Sequence, residues 1–451
     1  MATRKDLLKA HAFVTERLKA ALVSRRPDDA ERPLRRLGTG LFASVMIGVL
    51  ITAGFGVVGL IRGGTSTSWQ NNDHVIVNSQ TGAVFAYLAG ELYPAANITS
   101  ARLATGGADL KTLKSRSLRG FPEQNPIGIP GAPKQLPDPA SMSAYPLRVC
   151  STEPDDQGQR FTTLEVGDGE VPDTNVTFAA RDSSGNVYLV THGRAHPAPT
   201  PEGSAIPPVL SYLGFTTVME PGDRFLNTLP SGSPLEPLEI PKFGEQSVRP
   251  PNAGSTTIGS LFHVDGATTT YYVLLEHGLA EIAPLESAVL ASGHDLTSTA
   301  ISASEAARVM GTEQISRPDI PRTMPEPDRS VSDPSNASVC ASWPEADAEP
   351  RLALAVDTPQ VTTTSRTVRS ADLVVMPTLH GALVTTEAGD TAILLTESKR
   401  FGIAATEDQA ALGYAELTPE PIPTEILTLI PEGLEPGGML SKEAALQPVG
   451  G

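Results

Sequence analysis

Thr81-Gly82-Ala83-Val84-Phe85-Ala86-Tyr87-Leu88-Ala89-Gly90-Glu91-Leu92-Tyr93-Pro94 reads as a strand, a glycine turn and a short strand ended by proline. Asn97 and Ser100-Ala101-Arg102-Leu103 follow and open a helix. The wording recurs. A second copy is Gly185-Asn186-Val187-Tyr188-Leu189-Val190-Thr191-His192-Gly193-Arg194-Ala195-His196-Pro197, and a third is Thr270-Tyr271-Tyr272-Val273-Leu274-Leu275-Glu276-His277-Gly278-Leu279-Ala280, reaching Pro284. A degenerate fourth starts near Thr391-Ala392-Ile393-Leu394-Leu395 and reaches Phe401-Gly402-Ile403. Two copies also share a tail. Leu213-Gly214-Phe215 leads to Leu229-Pro230-Ser231-Gly232, and Leu412-Gly413-Tyr414 leads to Leu429-Ile430-Pro431-Glu432-Gly433. Four heads with two matching tails predict a repeat, each hairpin pairing with a short helix to bury one face.

The stretches between the copies are punctuation. Residues 231–256 and 316–350 are rich in Pro, Ser and acid and read as linkers. Residues 121–137 are too proline-dense for a helix or a central strand and read as an extended segment or loop. Gly and Pro together number 80 of 451 residues, above ordinary usage and below the roughly 25% that marks aperiodic disorder. Aromatics are 5%, so the core must be aliphatic.

Upstream of the first copy, Gly38 to Ile61 is 24 residues without a charge. As a helix it spans about 36 Å, enough for a hydrocarbon core of about 30 Å. A buried soluble helix and a cleaved signal peptide are the alternatives. The second fits poorly, because Ile61-Arg62-Gly63-Gly64 lacks a small-x-small site and the basic region before the run is too long. The reading is an uncleaved signal anchor. Arg32, Arg35 and Arg36 precede it, and after Arg62 no Lys or Arg occurs until Arg102. The positive-inside tendency then predicts a cytoplasmic N-terminus and an extracytoplasmic body. Gly40, Ser44, Gly48, Thr52 and Gly56, each four apart, form a stripe of small residues suited to close helix packing. Gly54-Phe55-Gly56-Val57-Val58-Gly59 is a formal G-x-G-x-x-G, but no strand precedes it and it lies in the apolar run, so it is no dinucleotide site.

Before the anchor, Leu7, Val14, Leu18 and Leu22 lie at helical spacing with Phe13 alongside, and Pro27 ends the pattern. A helix of about 20 residues cannot bury that stripe alone, so these residues are candidates for docking on the bilayer surface or on a partner. The charge is divided to match. The chain carries −17, yet residues 1–36 hold ten Lys/Arg against five Asp/Glu. The acidic remainder argues against nucleic acid, which needs clustered cations.

Two cysteines, Cys150 and Cys340, both fall on the expected outer side. Pairing is the economical reading there, and two buried thiols are the alternative.

These residues together resemble the EccB family, membrane subunits of the actinobacterial type VII (ESX) secretion system. The resemblance covers nearly the whole chain. It rests on Ala10-His11-Ala12-Phe13-Val14 and Ala20-Ala21-Leu22-Val23, the single anchor, Tyr87 to Pro94 with Asn97, and Gly128-Ile129-Pro130-Gly131-Ala132-Pro133. The two cysteines and the Leu-Gly-Tyr to Ile-Pro-Glu-Gly ending add to it. Where the family usually has Pro-Arg-Gly, this chain has Pro122-Glu123-Gln124. The resemblance implies an α+β fold: a single N-terminal transmembrane helix, then an elongated extracytoplasmic region of about four small α/β repeat modules around a central β-rich core domain holding the disulfide. The boundaries it suggests are a head at 1–37, the anchor at 38–61, repeats at 66–115, 181–240, 258–310 and 370–440, a central core in two parts at 116–180 and 311–369 (the latter with a linker), a linker at 241–257 and a tail at 441–451. It also implies partners: the lipid bilayer, the other membrane subunits including the motor ATPase, a membrane-anchored subtilisin-like protease, and an oligomeric state within the inner-membrane complex.

Family members have been described as ATPases. The sequence has no G-x-x-x-x-G-K-[ST], and none of its nine lysines sits in a glycine-rich strand-to-helix turn. G-x-S-x-G and S-x-x-K are also missing. His192 and His196 are four apart, but Gly193 and Arg194 between them suggest a turn, not a helix face presenting two metal ligands. No catalytic residue, metal or cofactor is expected, ATP entering only under the alternative of an extracytoplasmic ATPase. A cell-wall-binding receptor is the other alternative.

Overall fold

The computed structural model describes residues 3–24, 33–62, 68–71, 73–107, 109–122, 124–173, 175–329, 333–361, 370–386, 389 and 391–449. Arg32 and Glu123 lie outside the described residues, and so do the side chains of Val23, Arg35, Arg36 and Arg62. The chain divides into two units, Met1–Trp69 with Arg116–Arg119, and Gln70–Ser115 with Gly120–Gly451.

The first unit holds helices α1 (Arg4–Ser24) and α2 (Pro33–Arg62). Pro33 opens α2 where a proline lacks only an N–H that would have no intrahelical partner. The helix therefore begins five residues before the uncharged run.

The second unit is built from five sheets. The first has β1 (His74–Asn78), β2 (Val84–Leu88), β3 (Glu91–Pro94), helix α3 (Ile98–Thr105) and β4 (Leu110–Leu113), in the order β3-β2-β1-β4. β1, β2 and β3 are antiparallel, and β4 returns parallel to β1 after the helix. Asn97 caps α3 by accepting from the Ser100 N–H, and Gly106 ends it in the left-handed region. α3 buries Ala101, Leu103 and Ala104. A fully buried leucine such as Leu103 contributes about 2 kcal/mol. A turn of helix, α4 (Ser115–Leu118), follows, its residues 116–118 belonging to the first unit.

After β5 (Leu147–Ser151) and β6 (Thr162–Val166), the second small sheet has β7 (Phe178–Arg181), β8 (Val187–Thr191) and β9 (Arg194–Ala198), then α5 (Pro208–Tyr212) and α6 (Asp223–Leu226). The third has β10 (Leu261–Val264), β11 (Thr270–Leu275), β12 (Gly278–Ile282), α7 (Pro284–His294), β13 (Thr299–Ala300) and α8 (Ala303–Val309). Next come β14 (Val339–Trp343), β15 (Arg351–Leu354) and β16 (Leu373–Val375). The last small sheet has β17 (Ala382–Thr386), β18 (Ile393–Thr396), β19 (Lys399–Gly402), α9 (Thr406–Leu412), β20 (Glu420–Ile422) and α10 (Thr424–Leu429), and α11 (Lys442–Ala445) closes the described chain. Sheets three and four, ordered β12-β11-β10-β13 and β19-β18-β17-β20, match the first strand for strand. The second has three strands, and a single parallel bridge from Ala180 to Met219 stands where the fourth strand would be.

Three of the hairpin turns are alike for a steric reason. Ala89-Gly90, His192-Gly193 and Glu397-Ser398 all have positive φ at both positions, the two-residue turn whose twist matches that of its strands. Glu397-Ser398 does this without glycine, which is why the fourth copy reads as degenerate. The Glu397 carboxylate accepts from the backbone N–H groups of Lys134 and Gln135, which helps hold the turn.

The fifth sheet is central, β15-β14-β5-β6-β16. It moves three boundaries. β14 lies inside the 316–350 stretch read as linker. β16 falls in the range assigned to the fourth repeat, and β7, from the range assigned to the core, belongs to the second small sheet. Residues 441–449 are also no loose tail. Ile127 bridges to Pro448, Gly128 N–H donates to Gln447 O, and Ala445 is buried. Packing does not follow chain order. The first and fourth sheets, farthest apart in sequence, share one core through Leu103, Ile127, Phe401, Leu412 and Tyr414. The central sheet packs its Val149, Leu164, Ala341 and Leu352 with Phe178 and Phe225 on one side of the sequence and Val384 and Ile426 on the other.

Candidate membrane anchor and interaction surfaces

Gly38–Val57 of α2 is long and apolar enough to cross a membrane. Gly40, Ser44, Gly48, Thr52 and Gly56 line one face at spacing four. A methyl group added at any of its three glycines would meet no atom of the described residues within 4 Å. The Ser44 hydroxyl donates to Leu41 O (2.8 Å) and the Thr52 hydroxyl to Gly48 O (2.7 Å). Both are satisfied within the helix, so the face can meet lipid or a second helix without an orphaned donor. On α1, Leu7, Phe13, Val14, Leu18 and Leu22 are all more than half exposed. Arg17 lies over the Phe13 ring, 5.6 Å from its centroid. Asp6 accepts from the Thr3 N–H and hydroxyl, which holds its carboxyl below the usual carboxylate range.

In the second unit, the shared tails have a common geometry. Ala195 N–H donates to Pro230 O and accepts at its own carbonyl from Gly232 N–H; Arg400 N–H donates to Pro431 O and accepts from Gly433 N–H. The Pro-x-Gly tail is thus a clip along the outer edge of the third strand. Glycine is required because an aromatic ring of the next strand residue occupies the space its Cβ would take. That Cβ would lie 2.3 Å from His196 at Gly232 and 2.0 Å from Phe401 at Gly433. The other two third strands are covered at the matching place, by Gly311 N–H on Leu279 O and by Gln124 N–H on Leu92 O.

The central sheet carries the disulfide. Cys150 and Cys340 are bonded across directly paired positions of β5 and β14, and both are buried. The bridge encloses the second and third sheets, 190 positions of chain. Beside it on the same sheet, Arg148 Nη1 lies 3.4 Å from Glu165 Oε1, and Arg148 Nη2 donates to Asp357 O (2.7 Å). Burial pushes the Glu165 carboxyl up; the Arg148 charge pulls against that shift without cancelling it. Arg224 ties α6 to the centre through Asp372 Oδ2 at 2.7 Å and Ser370 O.

His192 sits in its turn at φ 49° and His196 is fully buried on β9, so the two do not form a ligand pair. His196 Nδ1 lies 3.0 Å from Ser233 O, its Nε2 has no hydrogen-bond partner among the described residues, and burial holds its imidazole below the ordinary value. Among the described residues, no three His, Cys, Asp or Glu side chains come together as a metal set. An open groove of about 650 Å³ lies between α3, the 134–139 segment and the end of α9. Arg102 crosses it to donate to Leu412 O. The structure brings the two cysteines together. It leaves the stripe and the α1 residues as exposed faces. Sequence reasoning missed Arg102, Arg148–Glu165 and Arg224–Asp372, whose partners lie 17 to 310 positions away. No local pattern marks such pairs.

The model of the family described as type VII secretion system ESX-1, transport TM domain B, matches residues 1–450. Among curated proteins, the ESX-1 secretion system ATPase EccB1 of Mycobacterium tuberculosis is 27% identical over 98% of this chain and 94% of its own. The ESX-5 secretion system ATPase EccB5 of Mycobacterium marinum is 25% identical over 96% and 91%. Among solved structures, a chain of an intact ESX-5 inner membrane complex superposes with a TM-score of 0.63 at 23% identity, covering 100% of this chain and 96% of that one. A chain of the EccB3 dimer from the ESX-3 core complex gives 0.64 at 21%, covering 83% and 99%.

Proposed function

The chain belongs to the type VII secretion system ESX-1 transport TM domain B family, EccB, and we propose that it is a structural subunit that assembles and stabilises the inner-membrane translocation complex. The observation that carries this reading is the separation of its interaction surfaces. An exposed amphipathic helix, an exposed apolar helix with a small-residue stripe, and a disulfide-tied body of small sheets lie in succession along one chain. Each suits a different layer of a membrane assembly. The four small sheets are repeat modules around the central sheet. α1 docks on the cytoplasmic side, the positive charge before the anchor keeping the N-terminus there. The stripe Gly40, Ser44, Gly48, Thr52 and Gly56 packs against a neighbouring helix. The body stands outside and meets a second copy and the other subunits, the motor ATPase and a membrane-anchored subtilisin-like protease among them. Relatives are named for an intact inner membrane complex and for a dimer, in line with this role.

The curated relatives are also named ATPases. That reading has no support from a phosphate-cradling motif in this sequence. Replacing Leu7, Val14 and Leu18 with serine in the full chain tests the structural reading. The expected result is loss of the large membrane complex on native gels with the disulfide-bonded outer body still protease-resistant. An intact complex would refute α1 docking.

A further inference from the structure

We propose that the outer edge of β4 is a docking site for an acidic, extended segment of a partner protein, which adds to the first sheet as a fifth strand. In all four small sheets the third strand has its outer edge covered, by Gln124 and Ile127, by the 230–232 clip, by Gly311 and by the 431–433 clip. The opposite edge is shorter in the other three than in the first. In the second sheet it is one bridge at buried Met219, followed by Pro221. In the third it is the two residues of β13, followed by α8 with Ala306 and Val309 buried. In the fourth it is β20, which contains Pro421 and buries Ile422, with Tyr145 donating to Pro421 O.

β4 has none of these. It is four residues long, contains no proline, and is exposed at Leu110, Lys111 and Thr112. Among the described residues it pairs with β1 alone. Val75 N–H donates to Asp109 O and Ser79 N–H to Leu113 O. That alternation turns Lys111 toward β1 and leaves the N–H and C=O of Leu110 and Thr112 pointing outward. An open edge of this kind is a template for strand addition.

Charge selects the occupant. Residues 66–135 carry six Lys/Arg against four Asp/Glu, whereas residues 136–451 carry 17 against 42. The open edge thus belongs to a net-positive segment of an otherwise acidic chain. Lys111 is half exposed, its ammonium 3.7 Å from solvent-exposed Asp109, and exposed Lys114 follows. Edge lysines discourage a generic strand but complement an acidic one. They also weigh against a second copy, because pairing two β4 edges would set both lysine pairs on one ribbon.

The probe is a labelled peptide of alternating Glu and Val, with an alternating Lys and Val peptide as control, titrated onto the full chain in detergent. The acidic peptide should bind at least tenfold more tightly. Thr112→Pro, which removes an outward N–H and leaves the β1 face alone, should weaken it at least tenfold. Lys111→Glu with Lys114→Glu should reverse the preference, giving a second readout should the proline variant misfold. Equal binding of the two peptides, no binding of either, or indifference to both variants would overturn the proposal. Binding of anionic phosphatidylglycerol vesicles that survives Thr112→Pro would make this a lipid site instead. A dimer dissolved by Thr112→Pro would assign the edge to a second copy.

Discussion

Gly433→Ala puts the clip geometry to a direct test. The added Cβ would lie 2.0 Å from Phe401 Cε1 and 2.3 Å from Cζ, where ordinary contact begins near 3.4 Å. Something must move by more than 1 Å. The Phe401 ring is 1% exposed and sits in the core shared by the first and fourth sheets, so moving it disturbs that packing. Forcing an off-rotamer ring costs about 1–3 kcal/mol. Lifting the clip instead breaks the two backbone hydrogen bonds between Arg400 and Pro431 or Gly433, about 1 kcal/mol each net. The two routes predict about 1–3 kcal/mol of destabilisation, read as a lower urea midpoint at unchanged slope. Phe401→Ala alone should cost about 3–5 kcal/mol. On that background Gly433→Ala should cost almost nothing, because the colliding ring is gone. A single-mutant loss below about 0.5 kcal/mol, or the same penalty with and without the ring, would refute the steric account.

Three further outcomes follow from the same structure. Replacing Cys150 and Cys340 with alanine frees a loop of 190 positions; the chain-entropy model sets an upper guide of about 5 kcal/mol for the loss, read as a fall in urea midpoint together with earlier proteolysis of the second and third sheets. His196 is buried neutral with its folded value depressed below 6.5, so the unfolded chain takes up a proton first and stability should fall as pH drops below about 6.5. His196→Phe, which copies the ring of the fourth sheet, should flatten that slope between pH 7.5 and 5 in urea melts, and an unchanged slope would assign it elsewhere. Gly48→Leu, placed on the face of α2 where an added Cβ meets no described residue within 4 Å, should leave membrane insertion intact but weaken association between anchors in a genetic helix-association assay, and unchanged association would remove the stripe from packing.

The hairpins could be read in the sequence because two-residue turns write themselves as Ala-Gly and His-Gly, and because Pro-x-Gly tails recur at similar distance. The chemistry behind the tail was hidden. Nothing local says that Gly433 is small because Phe401 fills its place. β14 was lost in a proline-rich stretch, since Val339-Cys340-Ala341-Ser342-Trp343 is buried at all five positions and shows no alternation. The fourth strands were too short to register, β13 having two residues. The joining of first and fourth sheets rests on contacts such as Arg102 to Leu412 O, 310 positions apart, which no periodicity encodes. The anchor and the α1 stripe were legible because an unpartnered apolar face must be written continuously in sequence.

An assembled membrane subunit should come out of the membrane as one particle. Gentle detergent extraction of the full-length chain from its native membrane, followed by mass measurement of the intact particle, should give a large particle holding more than one copy of this chain in fixed ratio with other type VII secretion membrane subunits. A lone monomer carrying ATP turnover of its own would rule this role out.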